Sequence, residues 1–211
     1  MRVFILCSGR TGSSAIIKAC QHIENYTASH ESLSRVLGKE RFAFDDNHIE
    51  ADNRLSWNLG QLHNIYEDEA FYVHLVRNRD KVAQSFMKRF YQPRSIIDSF
   101  CEGIKMVSPE NLNEKEKLQV CYDYVDTVNT NIDLFLSTKT KKLNITLENI
   151  ENDFPILWEK IGAVGDLDKA LKEFKVRHNS STKRPYSFLS RLRLILVREW
   201  RHLKLTIQSY R

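Results

Sequence analysis

Val3-Phe4-Ile5-Leu6-Cys7 runs without a break into Ser8-Gly9-Arg10-Thr11-Gly12-Ser13-Ser14, and the reading of this stretch decides the fold. The apolar run reads as a buried strand, and the polar, glycine-bearing segment after it as a tight loop. Ala15-Ile16-Ile17-Lys18-Ala19-Cys20 resumes with helical composition. Strand, small-residue loop and helix in succession aim backbone N–H groups and a helix dipole at one anionic group. Gly9 and Gly12 let the backbone turn and approach a ligand closely, while Arg10 brings a fixed positive charge. Ser13 and Ser14 fall in the first helical turn, where hydroxyls can donate to phosphate oxygens.

The loop is not a Walker A motif, because Ser13 stands where the lysine after the last glycine belongs. No strand ends in the acidic residue that would hold Mg²⁺, which counts against metal-assisted ATP hydrolysis. Arg10-Thr11-Gly12-Ser13-Ser14 instead resembles the 5′-phosphosulfate loop of sulfotransferases that use 3′-phosphoadenosine 5′-phosphosulfate (PAPS). The resemblance implies a P-loop-like fold without a metal, with Ser8, Gly9, Arg10, Thr11, Gly12, Ser13 and Ser14 around the cofactor's 5′ end.

A second anchor comes after Ala70-Phe71-Tyr72-Val73-His74-Leu75-Val76, the strongest strand of the chain. Arg77 leaves its end, and Ser85 stands eight residues on, inside a helix expected from about Asp80 to Tyr91. A guanidinium gripping two oxygens and a hydroxyl donating to a third can converge on one phosphate. In sulfotransferases an Arg and a Ser at this separation bind the 3′-phosphate, so the resemblance gives that role to Arg77 and Ser85. The segment Arg77-Asn78-Arg79-Asp80-Lys81 lacks the proline of the common family form and is similar to the small bacterial glycan sulfotransferases. Lys183 and Arg184, in the polar loop Arg177 to Pro185, resemble the late basic loop that closes over adenine and the 3′-phosphate.

With 211 residues, 42% hydrophobic and 28% charged, the chain suits one soluble α/β domain over residues 1–211. Strands at 3–7, 26–29, 41–44, 70–76 and 143–147 alternate with helices, which predicts a parallel sheet covered on both faces, a three-layer α/β fold. The first helix is expected to end near Glu24-Asn25. The start of a strand almost at Met1 leaves no room for a leader, and no apolar run has membrane-span length, so the expected location is the cytoplasm. Cys7, Cys20, Cys101 and Cys121 form no C-x-x-C pair and read as reduced core thiols.

The net charge of +5 is concentrated in residues 187–211, where six basic residues face only Glu199. The balanced remainder argues against nucleic acid as a partner. Leu189, Leu192, Leu196, Trp200, Leu203, Ile207 and Tyr210 make one apolar stripe beside a basic face, a terminal helix that packs on the domain, meets anionic lipid, or joins a homodimer mate.

Sulfuryl transfer to an acceptor hydroxyl or amine rests on positioning, charge stabilisation and a base at the acceptor's proton. Arg10 would stabilise charge on the leaving phosphate. The base candidates are Glu31, Glu50, His30 and His48. Glu31, at the end of the second strand, is similar in place to the catalytic Glu of small bacterial glycan sulfotransferases. Glu50 is similar to the Glu of the heparan-type Glu-Lys-Ser/Thr-Pro segment. The resemblance implies a carbohydrate or glycolipid acceptor. The other readings of the same loop are a small-molecule kinase and a non-catalytic nucleotide-binding adaptor.

Overall fold

The computed structural model describes residues 1–90, 92, 95–176, 196 and 200. Five parallel strands form one sheet in the order β2-β3-β1-β4-β5: β1 (Val3–Leu6), β2 (Thr27–His30), β3 (His48–Ala51), β4 (Phe71–Val76) and β5 (Lys142–Thr146). Alternation along β1 divides the core. Phe4 and Leu6 pack on one face with α2 (Leu59–Tyr66), α3 (Arg79–Met87), α4 (Ile96–Ser99) and α5 (Glu114–Ser137). Val3, Ile5 and Cys7 pack on the other with α1 (Ser13–Cys20), α6 (Ile150–Lys160) and α7 (Leu167–Glu173). All five β1-run side chains are fully buried, and large apolar ones such as Phe4 and Ile5 each contribute about 1.5–3 kcal/mol. The expected three-layer α/β architecture is the one observed.

The strands carrying the two anion motifs are neighbours, with Val3 to Leu6 registered against Phe71 to His74. Their helices depart to opposite faces, α1 to one core and α3 to the other. Adjacent strands whose connections diverge open a crevice at their carboxyl ends, where ligands of open α/β sheets bind.

Two expectations change. The segment 41–44 is no strand: Gly38–Phe42 is a 3₁₀ helix, and the third strand is His48–Ala51. Arg41 turns inward to Asp52 and Tyr66 donates to the Phe42 carbonyl, contacts that an extended segment would not make. The first helix stops at Cys20, and Ile23 instead bridges to Gly165. The polar loop with Lys183 and Arg184, and the terminal helix apart from Leu196 and Trp200, lie outside the described residues. No helix among the described residues is long and apolar enough to cross a membrane.

Candidate active site

The loop after β1 is built on left-handed backbone. Gly9, Arg10 and Gly12 have φ of 87°, 62° and 94°. A Cβ on Gly12 would lie 2.6 Å from Leu147 Cδ1, and one on Gly9 would lie 3.0 Å from Asn53 Nδ2. The loop's base is pinned from below. Cys7 N–H donates to Ser56 Oγ at 3.3 Å, Ser56 O–H returns to the Cys7 carbonyl at 3.1 Å, and Tyr124 O–H donates to the Ser8 carbonyl at 2.8 Å. Ser8 and Thr11 are buried in the loop, and Thr11 Oγ1 finds no hydrogen-bond partner among the described residues. Burial pushes the Cys7 thiol up to about 11, which keeps it protonated and inert beneath the loop. Gly12→Ala combines a strained φ with overpacking on Leu147 and is expected to destabilise the chain by about 2–4 kcal/mol, read from the urea midpoint.

Arg10, Arg77 and Arg89 bring three like charges near this loop. Arg10 Nε donates to Ser85 Oγ at 2.9 Å, and Arg77 Nη1 donates to the Arg10 carbonyl at 3.1 Å. Arg77 Nε is buried and finds no hydrogen-bond partner among the described residues. Arg89 lies in the turn that follows α3, four residues beyond Ser85. Burial, and then the charges of Arg89 and Arg77, hold the Arg10 guanidinium below its usual range. None of the three forms an ion pair with a described residue. Uncompensated like charges held together are electrostatically unfavourable until an anion joins them. α1 adds the positive end of its dipole, with no acidic residue in its first turn.

Arg79 and Asp80 point elsewhere. Arg79 grips Asp126 with two bonds of 2.6 and 2.5 Å and lies over the Tyr122 ring, whose hydroxyl donates to Asp80 at 2.9 Å. Both brace α3 on α5. Asn78 caps α3 by accepting from Lys81 N–H at 3.1 Å.

The end of β2 reaches the loop from the side. His30 Nε2 lies 2.9 Å from Ser13 Oγ and 3.5 Å from Ser14 Oγ. Glu31, at φ 53°, extends the ladder by donating its N–H to the Ala51 carbonyl at 3.0 Å, and its carboxylate pairs with Arg54 at 3.0 Å. His30, Glu31, Ser32, Ser34, Arg35 and Arg54 line a cavity of about 490 Å³. Glu50 is fully buried behind this turn. Its oxygens accept from Ser32 N–H at 2.9 Å and Ser32 O–H at 2.5 Å, and one faces His48 Nε2 at 3.1 Å. His48 Nδ1 is in turn 2.7 Å from Thr27 Oγ1. The geometry thus brings His30 and Glu31 to the cavity and leaves Glu50 and His48 behind it.

Several residues of this neighbourhood carry no motif. Asp52, Asn53, Arg54 and Ser56 come after a strand that its own composition hides, and Tyr124 comes from the middle of α5. Arg89 had one sequence signal, its four-residue spacing from Ser85 on a helical face.

No protein-family model matches the sequence, and no curated protein does. Among solved structures the chain is similar to the "Sulfotransferase Domain from the Curacin Biosynthetic Pathway", with a TM-score of 0.61 and 13% identity over 85% of this chain and 79% of that one. At that identity the likeness establishes architecture, and the architecture is the sulfotransferase fold.

Proposed function

We propose that the chain is a sulfotransferase that uses PAPS to sulfate a hydroxyl or amine of a carbohydrate or glycolipid. The observation that carries this reading is the chain of contacts Ser85–Arg10–Arg77 across the carboxyl ends of β1 and β4. The donor set fits a nucleotide phosphorylated at both 3′ and 5′ positions. Guanidinium groups without counter-ions and one buried N–H without a partner among the described residues, with a glycine-shaped loop, all suit oxyanions.

In this reading the amides of residues 9–14 with Arg10 hold the 5′ end, and Arg77 with Ser85 holds the 3′-phosphate. Lys183 and Arg184, outside the described residues, are assigned to the adenine side by resemblance alone. When bound, the donor supplies an activated sulfuryl group whose leaving oxygen belongs to its 5′-phosphate. Arg10 and the helix dipole stabilise the charge left there. Glu31 accepts the acceptor's proton, and Arg54 holds its carboxylate in place at 3.0 Å. The six-residue cavity wall is entirely polar, which supports a hydroxyl-rich acceptor over an apolar one.

The test is transfer of label from ³⁵S-PAPS to a panel of saccharide and glycolipid acceptors, with γ-³²P-ATP in parallel. Sulfation of a saccharide is the expected result. Phosphorylation from ATP would establish a kinase, and nucleotide binding with no transfer to any acceptor would establish an adaptor.

A further inference from the structure

We infer that the buried polar residues at β3, with Glu50 as the central one, are a positioning device for the turn that carries Glu31. The inference rests on the sulfotransferase reading. β3 lies between β2 and β1, where an apolar strand would serve the core. It instead places His48 and Glu50 on one face, with Asp52 next in the same alternation. Glu50 and Asp52 are both fully buried. Burying a carboxylate is unfavourable by several kcal/mol unless its oxygens are filled, and well-packed apolar residues are often at least as stabilising. What these acids hold is therefore informative.

Each is linked to Glu31 through one neighbouring residue. Glu50 takes the backbone and side chain of Ser32, the residue after Glu31, at 2.9 and 2.5 Å. Asp52 takes the Arg54 N–H at 2.8 Å and Arg41 Nη2 at 2.5 Å. Arg54 then reaches the Glu31 carboxylate at 3.0 Å. Glu31 sits in the left-handed region at φ 53°, a conformation that is unfavourable for a non-glycine residue and needs outside support. His48 completes the device by bracing Glu50 at 3.1 Å against Thr27 of β2. Glu50 thus holds the residue that follows the proposed base, and Asp52 holds the backbone of the arginine that pairs with its carboxylate. None of these contacts involves the loop after β1 or Arg77, so the device should act on proton transfer and leave nucleotide binding alone.

The test uses Glu50→Gln and Ser32→Ala in the full chain. Ser32 is exposed, so its truncation does not threaten folding, and Gln keeps one acceptor oxygen for the Ser32 N–H. The expected kcat for sulfuryl transfer falls about tenfold in Glu50→Gln and about threefold in Ser32→Ala, with KM for PAPS and Kd for adenosine 3′,5′-bisphosphate within about twofold of wild type. Amide hydrogen exchange at residues 31 and 32 is expected to accelerate in both, with exchange along β1 and β4 unchanged. An unchanged kcat, or a loss of nucleotide affinity that parallels it, would overturn the inference. A wild-type chain that transfers no sulfuryl group would refute the sulfotransferase reading itself. In that case unaltered exchange at residues 31 and 32 in Glu50→Gln would still overturn the mechanical half of the inference, and local acceleration would uphold it.

Discussion

In the Arg77→Ala protein, adenosine 3′,5′-bisphosphate is expected to bind about a hundredfold more weakly than in wild type, whereas AMP, which lacks the 3′-phosphate, loses little. A charge-assisted hydrogen bond is worth about 1.5–3 kcal/mol, so losing a bidentate pair amounts to at least about 3 kcal/mol, or two decades in Kd. Arg77 is free to make that pair. Among the described residues only Nη1 is engaged, on the Arg10 carbonyl, and Nε lacks a partner. Arg77→Lys should recover part of the affinity, because an ammonium restores charge without the planar fork. Isothermal titration with both nucleotides reads the two effects. Equal losses for AMP and the bisphosphate would mean that Arg77 acts by holding the Arg10 backbone rather than by gripping the 3′-phosphate.

Glu31→Gln should lower kcat about a hundred- to a thousandfold while the Kd for adenosine 3′,5′-bisphosphate stays unchanged. Glutamine has the same shape and still accepts from Arg54, so the turn at φ 53° keeps its support and only proton acceptance is lost. His30 is the competing base, since its Nε2 already touches Ser13 Oγ at the rim of the loop. His30→Gln measured beside Glu31→Gln separates them: the residue whose replacement removes turnover at constant nucleotide affinity is the base. If both variants turn over like wild type, neither is the base.

What the sequence declared and what it hid obey one physical rule. β1 and β4 were legible because both their faces are apolar, and the loops after them because glycine, arginine and small hydroxyl residues mark an anion site by type. β3 was hidden because His48 and Glu50 make a central strand look like a polar turn, and their mutual pairing with Ser32 and Thr27 is non-local. Arg41-Phe42-Ala43-Phe44 looked like a strand because two aromatics alternate. Both are buried, yet Phe42 closes a 3₁₀ turn and Phe44 lies in the loop between that turn and β3. Arg77 and Ser85 could be paired in advance by their eight-residue separation and the family resemblance, whereas the contact of Ser85 with Arg10 could not. The engagement of Arg79 with Asp126 could not, because its partner lies 47 residues away on α5.

The measurement closest to the central claim is a crystal structure of the chain with adenosine 3′,5′-bisphosphate. The expected complex has the 5′-phosphate on the amides of residues 9–14 beside Arg10, and the 3′-phosphate between the Arg77 guanidinium and Ser85 Oγ. A nucleotide seated away from the carboxyl ends of β1 and β4, or one whose phosphates touch neither arginine, would contradict it.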